Sequence, residues 1–380
     1  MHLTVHDAIS DIDRDAWNAL GGRRYPFLRH EFLQAAEDTR CVSPETGWIP
    51  RHLTLSDNRG LRAALLLYEK SHSWGEFVFD WAWANAYEQA GLNYYPKLVS
   101  AVPFTPATST RLLLRDANDR EAAQATLDAA IALAKDGDYS SLHILFPTHA
   151  EIDLLEANEF MLRKDCQFHW HNRQYRSFDD FLATFTSVKR KKARRDRRRV
   201  AENGITFRRV RGSDVDDTSL NVIYELISNT FLRRGSLPYF NKEFFASISQ
   251  QLPDEVLYIL AEKDAQIVAC AVFFESGTHL YGRYWGSDGH VDSLHFETCY
   301  YQGIDYCIET GKSVFEPGTQ GEHKVSRGFS PVSTASAHWL AHTEFARAIE
   351  RYLDDEGRHV DRYIDAIDAH TPYRNAEADE

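Results

Sequence analysis

Glu316, Gln320, Glu322, His323, Lys324 and Arg327 fall within twelve residues, in the stretch EPGTQGEHKVSRGFSP that runs from Glu316 to Pro331. A surface connection needs turn formers, and this one has three glycines and two prolines. It does not need two carboxylates, an imidazole and two cations. Carboxylates and imidazoles accept protons, and Lys and Arg hold anionic groups, so the set fits general acid–base work beside a bound carboxylate or phosphate. Glu316 is the first candidate for a base, because it ends the apolar run SVFE, and burial at a strand end raises a carboxyl pKa. Glu322 and His323 are the alternatives, His because it titrates near neutrality. Lys324, Arg327 and Gln320 suit a polar or anionic substrate, as do Tyr281, Arg283 and Tyr284, which alternate along the strand-like LYGRYWG. The bland reading is a local Glu322–Lys324 ion pair and a loop histidine that has its hydrogen bonds satisfied.

A second concentration of charge lies upstream. KRKKARRDRRR, residues 189–199, holds nine basic residues and one Asp, which leaves about −21 on the rest of a chain whose net charge is −13. Phe178, Phe181, Leu182, Phe185 and Val188 recur at helical spacing, predicting one helix over residues 178–203 that stops before Gly204. Lys191, Arg194, Arg195, Arg197 and Arg198 are candidates for binding phosphates of a nucleotide, a tRNA or an anionic headgroup, weighed against a solvated face that offsets an acidic body. That acidic body argues against duplex DNA as a partner.

Elements that could position these groups are legible in outline. The chain has 380 residues, 43% of them hydrophobic, which suits two folded domains. Five scattered cysteines without a CxxC predict neither a disulfide framework nor a zinc site, and no metal is expected. No apolar run is long enough for a transmembrane segment, and the start lacks a signal-peptide pattern, so a cytoplasmic protein is expected; the oligomeric state stays open. WIPRHLTL and LRAALLLYE flank the turn SDNRG as a hairpin. VLYILAE, IVACAVFFE and LYGRYWG form a meander, followed by a helix over 294–310, the strand SVFE, the polar loop, the strand PVSTASAHWL and a last helix over 344–353. The aromatic stretch FDWAWANAYEQAGLNYYPKL, with Glu76, Asp80 and Lys97 in or near it, reads first as core. Pro103 and Pro106 stiffen VPFTPAT into a possible groove wall, and Glu297 reads as a supporting buried carboxylate. Strand, paired helices, meander, helix and strand recur in both halves, predicting an α/β fold of two similar domains with mixed, mostly antiparallel sheets, divided as residues 1–174 and 175–380.

That order of elements resembles two tandem GNAT-type N-acyltransferase domains. YPFLRHEFL, TGWIPRHL, the stretch from Trp74 to Leu113, LRRGSLPYFNKEFF, LYGRYWG, LHFETCYYQGIDYCIETG and FEPGTQGEHKVSRGFSPV together resemble the bacterial FemAB-like family, related to the Fem-type aminoacyltransferases that build peptidoglycan bridges. The resemblance implies an N-acyltransferase (the EC 2.3 class) that moves an acyl or aminoacyl group to the amine of a small molecule, peptide or peptidoglycan precursor. It implies acyl-CoA or aminoacyl-tRNA as donor. The glycine-rich pyrophosphate loop of acetyltransferases is missing from GSDGHVDSLHFE and RDANDREAA, which counts against coenzyme A. Fem-type enzymes also open their second domain with a basic helix, which makes tRNA a possible partner. The competing reading is an inactive Fem-like module that binds tRNA or anionic lipid through that helix.

Overall fold

A computed structural model describes residues 1–21, 25–319 and 321–374. The chain forms two compact units, Met1–Asp165 with Ser333–Arg362, and Cys166–Val332 with Tyr363–Glu380. The division drawn at 174/175 differs from these limits, because a late strand and most of the final helix return to the first unit.

In that unit, β1 (His2–His6), β3 (His52–Asp57), β4 (Gly60–Leu65) and β7 (Leu112–Leu114) form an antiparallel sheet, with the predicted hairpin turning at Asn58 and Arg59. A second sheet runs β8-β6-β5-β2, where β2 is Trp48–Pro50, β5 Tyr68–Lys70, β6 Lys97–Ser100 and β8 Ser141–Leu145; only β6 and β8 lie parallel within it. The late strand pairs antiparallel with β8 through Ser336–Leu340. The Arg120–Asp136 helix starts on Asp119, whose carboxylate accepts the Ala122 N–H, and presents Ala123, Leu127, Ala130 and Ala134 to the sheet leucines Leu53, Leu65 and Leu142.

Two lysines, Lys70 and Lys97, face each other in the β5–β6 register, and both are wholly buried. Such an arrangement is tolerable only if carboxylates come with them. The following segment supplies these: Lys97 Nζ donates to Ser73 Oγ at 2.9 Å, to Glu76 Oε2 at 2.8 Å and to Asp80 Oδ2. Tyr94 donates its hydroxyl to the same Asp80 oxygen at 2.6 Å. Burial opposes the Lys97 charge, but Glu76 and Asp80 outweigh it and hold its pKa above the usual lysine value. Burial brings Lys70 down to about 7 and lifts Glu76 to about 7. Beside this cluster His143 and His338 share a hydrogen bond between their Nδ1 atoms at 2.6 Å, and burial keeps both rings neutral. The stretch read as aromatic core is therefore a core built around charge.

In the second unit the sheet order is β10-β11-β12-β13-β14-β9, with β9 Met161–His171, β10 Thr206–Arg211, β11 Val256–Lys263, β12 Gln266–Glu275, β13 His279–Ser287 and β14 Val314–Glu316. Only the β13–β14 pair is parallel. The late strand is β15, Ser330–Leu340. The Asp217–Leu232 helix lies so close to β13 that a Cβ on Gly286 would stand 2.4 Å from the Leu226 carbonyl carbon. The basic run departs from the expected single helix. It breaks at Thr184–Thr186 into Phe178–Ala183 and Ser187–Glu202. The break drives Phe185 into the core, where it meets Tyr373, while the Thr186 N–H donates to the Pro372 carbonyl at 2.9 Å. The final helix continues from Thr343 to Asp368, beyond the predicted 353, because Arg163 and Lys164 pair with its Glu356 and Asp361. Among the described residues no helix is long and apolar enough to cross a membrane.

Replacing Lys97 by Met leaves Glu76 and Asp80 buried without their cation. Urea denaturation is expected to show a loss of about 3–5 kcal/mol, the usual cost of removing one partner from a buried pair. Combining Lys97→Met with Glu76→Gln and Asp80→Asn recovers a large part of it.

Candidate functional site

β13 and β14 run side by side only over His279–Tyr281 and Val314–Glu316. Beyond that point β13 continues along β12 to Ser287, whereas β14 stops at Glu316 and the chain turns into the polar loop. The register of β12 against β13 slips between Val272 and Phe273, which makes Arg283 the extra residue of a bulge. Two parallel strands thus part at their carboxyl ends, the place where open α/β sheets bind ligands.

Glu316 stands at the fork, 4% exposed. Its Oε2 lies 3.8 Å from Arg283 Nη2 and 4.0 Å from His169 Nε2, and has no hydrogen-bond partner among the described residues. Burial lifts its pKa to about 7, with Arg283 pulling the other way. Arg283 is itself pulled below the usual guanidinium range by burial, and its Nη1 donates to the Gly282 carbonyl at 2.9 Å. His169, on β9, is brought to about 3 by burial and then by its cationic neighbours, so it is neutral. A carboxyl that is half ionised at neutral pH, facing a guanidinium and a neutral imidazole, can take up and release a proton at little cost.

Lys324 lies within electrostatic reach of Arg283 and His169. It sits in the short helix Glu322–Arg327, is 1% exposed, and donates from Nζ to the Gly318 carbonyl at 2.5 Å. Burial and then Arg283 lower it to about 7, partly countered by Cys299. Cys299 and Tyr300 come from a π-helical turn, Glu297–Tyr301, in the middle of the predicted 294–310 helix. Such turns recur at functional sites because they re-aim side chains. Tyr300 meets His323 here, with its hydroxyl 2.9 Å from Nε2.

The other residues singled out from the sequence divide cleanly. Arg327 is buried over the Phe296 ring at 3.3 Å, and its Nη2 lies 3.5 Å from Asp196 Oδ2. Asp196 is the acid within the basic run, so that ion pair docks the loop on the Ser187–Glu202 helix. Gly328 follows in a left-handed turn, where a Cβ would stand 2.6 Å from the Phe181 ring. Glu322 is exposed and accepts from the Tyr363 hydroxyl at 2.8 Å. Tyr281 is buried at the fork and stacks on His279, while Tyr284 lies among Phe231, Phe240 and Phe245. Gln320 lies outside the described residues.

Along the basic helix, Arg197 turns inward to Glu297 and Asp305, at 3.1 and 2.7 Å, and stacks on Phe178. Arg194 pairs with Asp179 and Arg198 with Glu202, both on the surface. Lys191 and Arg195 are exposed with no ion pair among the described residues, as is Lys192, which the sequence reading did not select. Sequence reasoning also missed His169, Cys299 and Tyr300. The alternation in QFHWH and the run TCYY placed them on elements but gave no sign of a π turn. Among the described residues, no group of three His, Cys, Asp or Glu side chains could hold a metal ion.

Two α/β units with a fork between parallel strands define a tandem GNAT-like protein, as the order of elements predicts. A family profile, FemAB-like, described as peptidoglycan biosynthesis/recognition, matches residues 8–375, and the chain belongs to that family. None of the curated proteins matches. Among solved structures it is similar to FemX, at 14% identity over 92% of this chain and 100% of that one, with a TM-score of 0.57. It is also similar to the C-terminal domain of a putative lysylphosphatidylglycerol synthetase from Agrobacterium fabrum, at 11% identity over 90% of this chain and 96% of that one, with a TM-score of 0.54. A conserved protein of unknown function from Bacteroides thetaiotaomicron matches at 11% identity over 89% and 99% of the two chains, with a TM-score of 0.53. These likenesses speak to the fold.

Glu316 gives a stability test that needs no substrate. Between about pH 4.5 and 7 the folded protein keeps a proton on Glu316 that the unfolded chain releases, so this residue costs stability as pH rises through that window. Glu316→Gln is expected to melt at nearly the wild-type temperature at pH 5 and a few degrees higher at pH 8; thermal melts across pH check it.

Proposed function

We propose that the protein is an N-acyltransferase whose general base is Glu316. The observation that carries this reading is the buried carboxyl at the fork of β13 and β14, 3.8 Å from Arg283, whose pKa burial lifts to about 7. The acceptor's amine nitrogen attacks the donor's acyl carbon, and the amine proton passes to Glu316. The tetrahedral centre then collapses as the carbon–sulfur bond of a thioester, or the carbon–oxygen bond of an ester, breaks. The leaving group takes that proton back from Glu316, so one amide and one thiol or alcohol result and the carboxylate is regenerated. In the tetrahedral state the charge on oxygen is met by Lys324 in its protonated form and by N–H groups of β13 beyond Tyr281, where β14 no longer lies beside it.

The family description, peptidoglycan biosynthesis/recognition, favours an acceptor amine on a cell-wall precursor. The lysylphosphatidylglycerol synthetase domain is a neighbour whose name points instead to a lipid acceptor. For the donor, the exposed cations Lys191, Arg195 and Lys192, with Arg194 and Arg198 in weak surface pairs, suit the phosphates of an aminoacyl-tRNA better than those of coenzyme A. Arg197 is committed inward and is left out of that surface.

Glu316→Gln is expected to lower kcat about 10²–10⁴-fold with KM little changed. In the wild type, kcat/KM rises as Glu316 loses its proton and falls as Lys324 loses its own, giving a bell centred near pH 7; the variant loses the rising limb. Full turnover in a stable Glu316→Gln protein would reject the assignment. Replacing Lys191, Lys192 and Arg195 by Ala is expected to weaken tRNA binding at least tenfold and to flatten its salt dependence, measured by filter binding across a salt series. Unchanged binding and slope would leave that helix as solvated surface.

A further inference from the structure

The charge cluster of the first unit does more than fill a core. Every cation that reaches the segment from Ser73 to Trp81 grips it. Lys97 holds Ser73, Glu76 and Asp80; Lys70 Nζ donates to the Trp74 carbonyl at 3.2 Å; Arg163 Nη1 donates to the Phe79 carbonyl at 2.7 Å. With its polar side chains pulled inward, the segment turns its rings out. Trp74 is 60% exposed, Phe79 57% and Trp81 48%. The rings touch one another, with Trp81 5.1 Å from Phe79 and 6.4 Å from Trp74 between centroids. Large aromatic rings gathered on a surface and held on a fixed backbone form a preorganised recognition patch.

The surroundings say what kind of partner fits. Trp81 opens the helix Trp81–Gln89, whose Trp83 and Tyr87 face inward and whose Asn85, Glu88 and Gln89 are exposed, as is Asn93 beyond it. No Lys or Arg occurs from Ser71 through Pro96, and Lys70, Lys97 and Arg163 are spent on carboxylates and carbonyls. An anionic membrane or a nucleic acid would ask for free cations here. Exposed rings followed by a helix that exposes two amides, Asn85 and Gln89, and one carboxylate, Glu88, ask for an uncharged partner with apolar C–H faces and hydroxyl or amide edges. We propose that Trp74, Phe79 and Trp81 form a saccharide-binding platform on which uncharged pyranose rings of an amino-sugar chain stack. The choice of amino sugar rests on the family description alone; the platform itself does not depend on the acyl-transfer reading or on Glu316.

The probe is chitotetraose, the neutral tetramer of N-acetylglucosamine, titrated into the full-length protein with tryptophan emission and calorimetry as readouts. Binding without turnover is measured, so failure of the catalytic reading would leave the result intact. Saturable binding is expected, weakened at least tenfold by Trp74→Ala or Trp81→Ala and abolished by both together, while Trp81→Tyr keeps most of it and Leu237→Ala, an exposed apolar site in the other unit, changes nothing. All three substituted positions are exposed, and unchanged melting temperatures will verify folding. Absence of binding at millimolar sugar, or equal binding by the double variant, overturns the proposal. So does association with phosphatidylcholine vesicles that the double variant loses while sugar has no effect, which would make the patch a membrane anchor instead.

Discussion

Desolvation of charge is the constraint on which both units depend. At the fork of β13 and β14 it acts on Glu316, and in the β5–β6 register it acts on Lys70 and Lys97. A carboxylate or ammonium out of water must find a partner, lose its charge or destabilise the fold. Glu316 partly loses its charge, and Lys97 finds partners. The first outcome leaves a group that can exchange a proton near neutral pH; the second leaves a rigid staple. The same physical penalty therefore yields a chemically responsive centre in one unit and a fixed scaffold in the other.

Around Glu316 the fold limits what the responsive group can do. Arg283 opposes the rise in its pKa, His169 is kept neutral, and Lys324 is tied to the Gly318 carbonyl. The loop that carries Lys324 is anchored by Arg327 on Asp196 and turned by Gly328 against Phe181. Through Asp196 the polar loop and the basic helix, 131 residues apart at this contact, share one buried ion pair.

The strand ending at Glu316 was legible because an apolar run stopping on a carboxylate within a glycine-rich loop is unusual on physical grounds. The hairpin, the meander and the order of elements were legible from alternation and turn residues. What escaped was set by partners distant in sequence. Lys97 stood within a stretch that reads as aromatic core, and nothing in its spacing told that β5 would bring Lys70 beside it. The break before Ser187 depended on Tyr373, almost two hundred residues on, and the π turn at Glu297–Tyr301 left no mark on the apolar spacing. Arg197 sat in the basic run like its neighbours, yet Glu297 and Asp305 drew it inward. Nor could spacing tell that Trp83 would be buried and Trp81 exposed within one helical turn.

The return of β15 to the first unit has a consequence for how the molecule comes into being. Synthesis proceeds from the amino terminus, and β8 meets its partner Ser336–Leu340 only after the Cys166–Val332 part of the second unit has been made. Until then the nascent chain carries β8 as an unpaired edge, with His143 lacking the His338 ring it bonds in the finished protein. The first unit is thus begun early and left open while most of the second is made. An exposed strand edge is what a chain stalled before β15 would offer to chaperones or to aggregation.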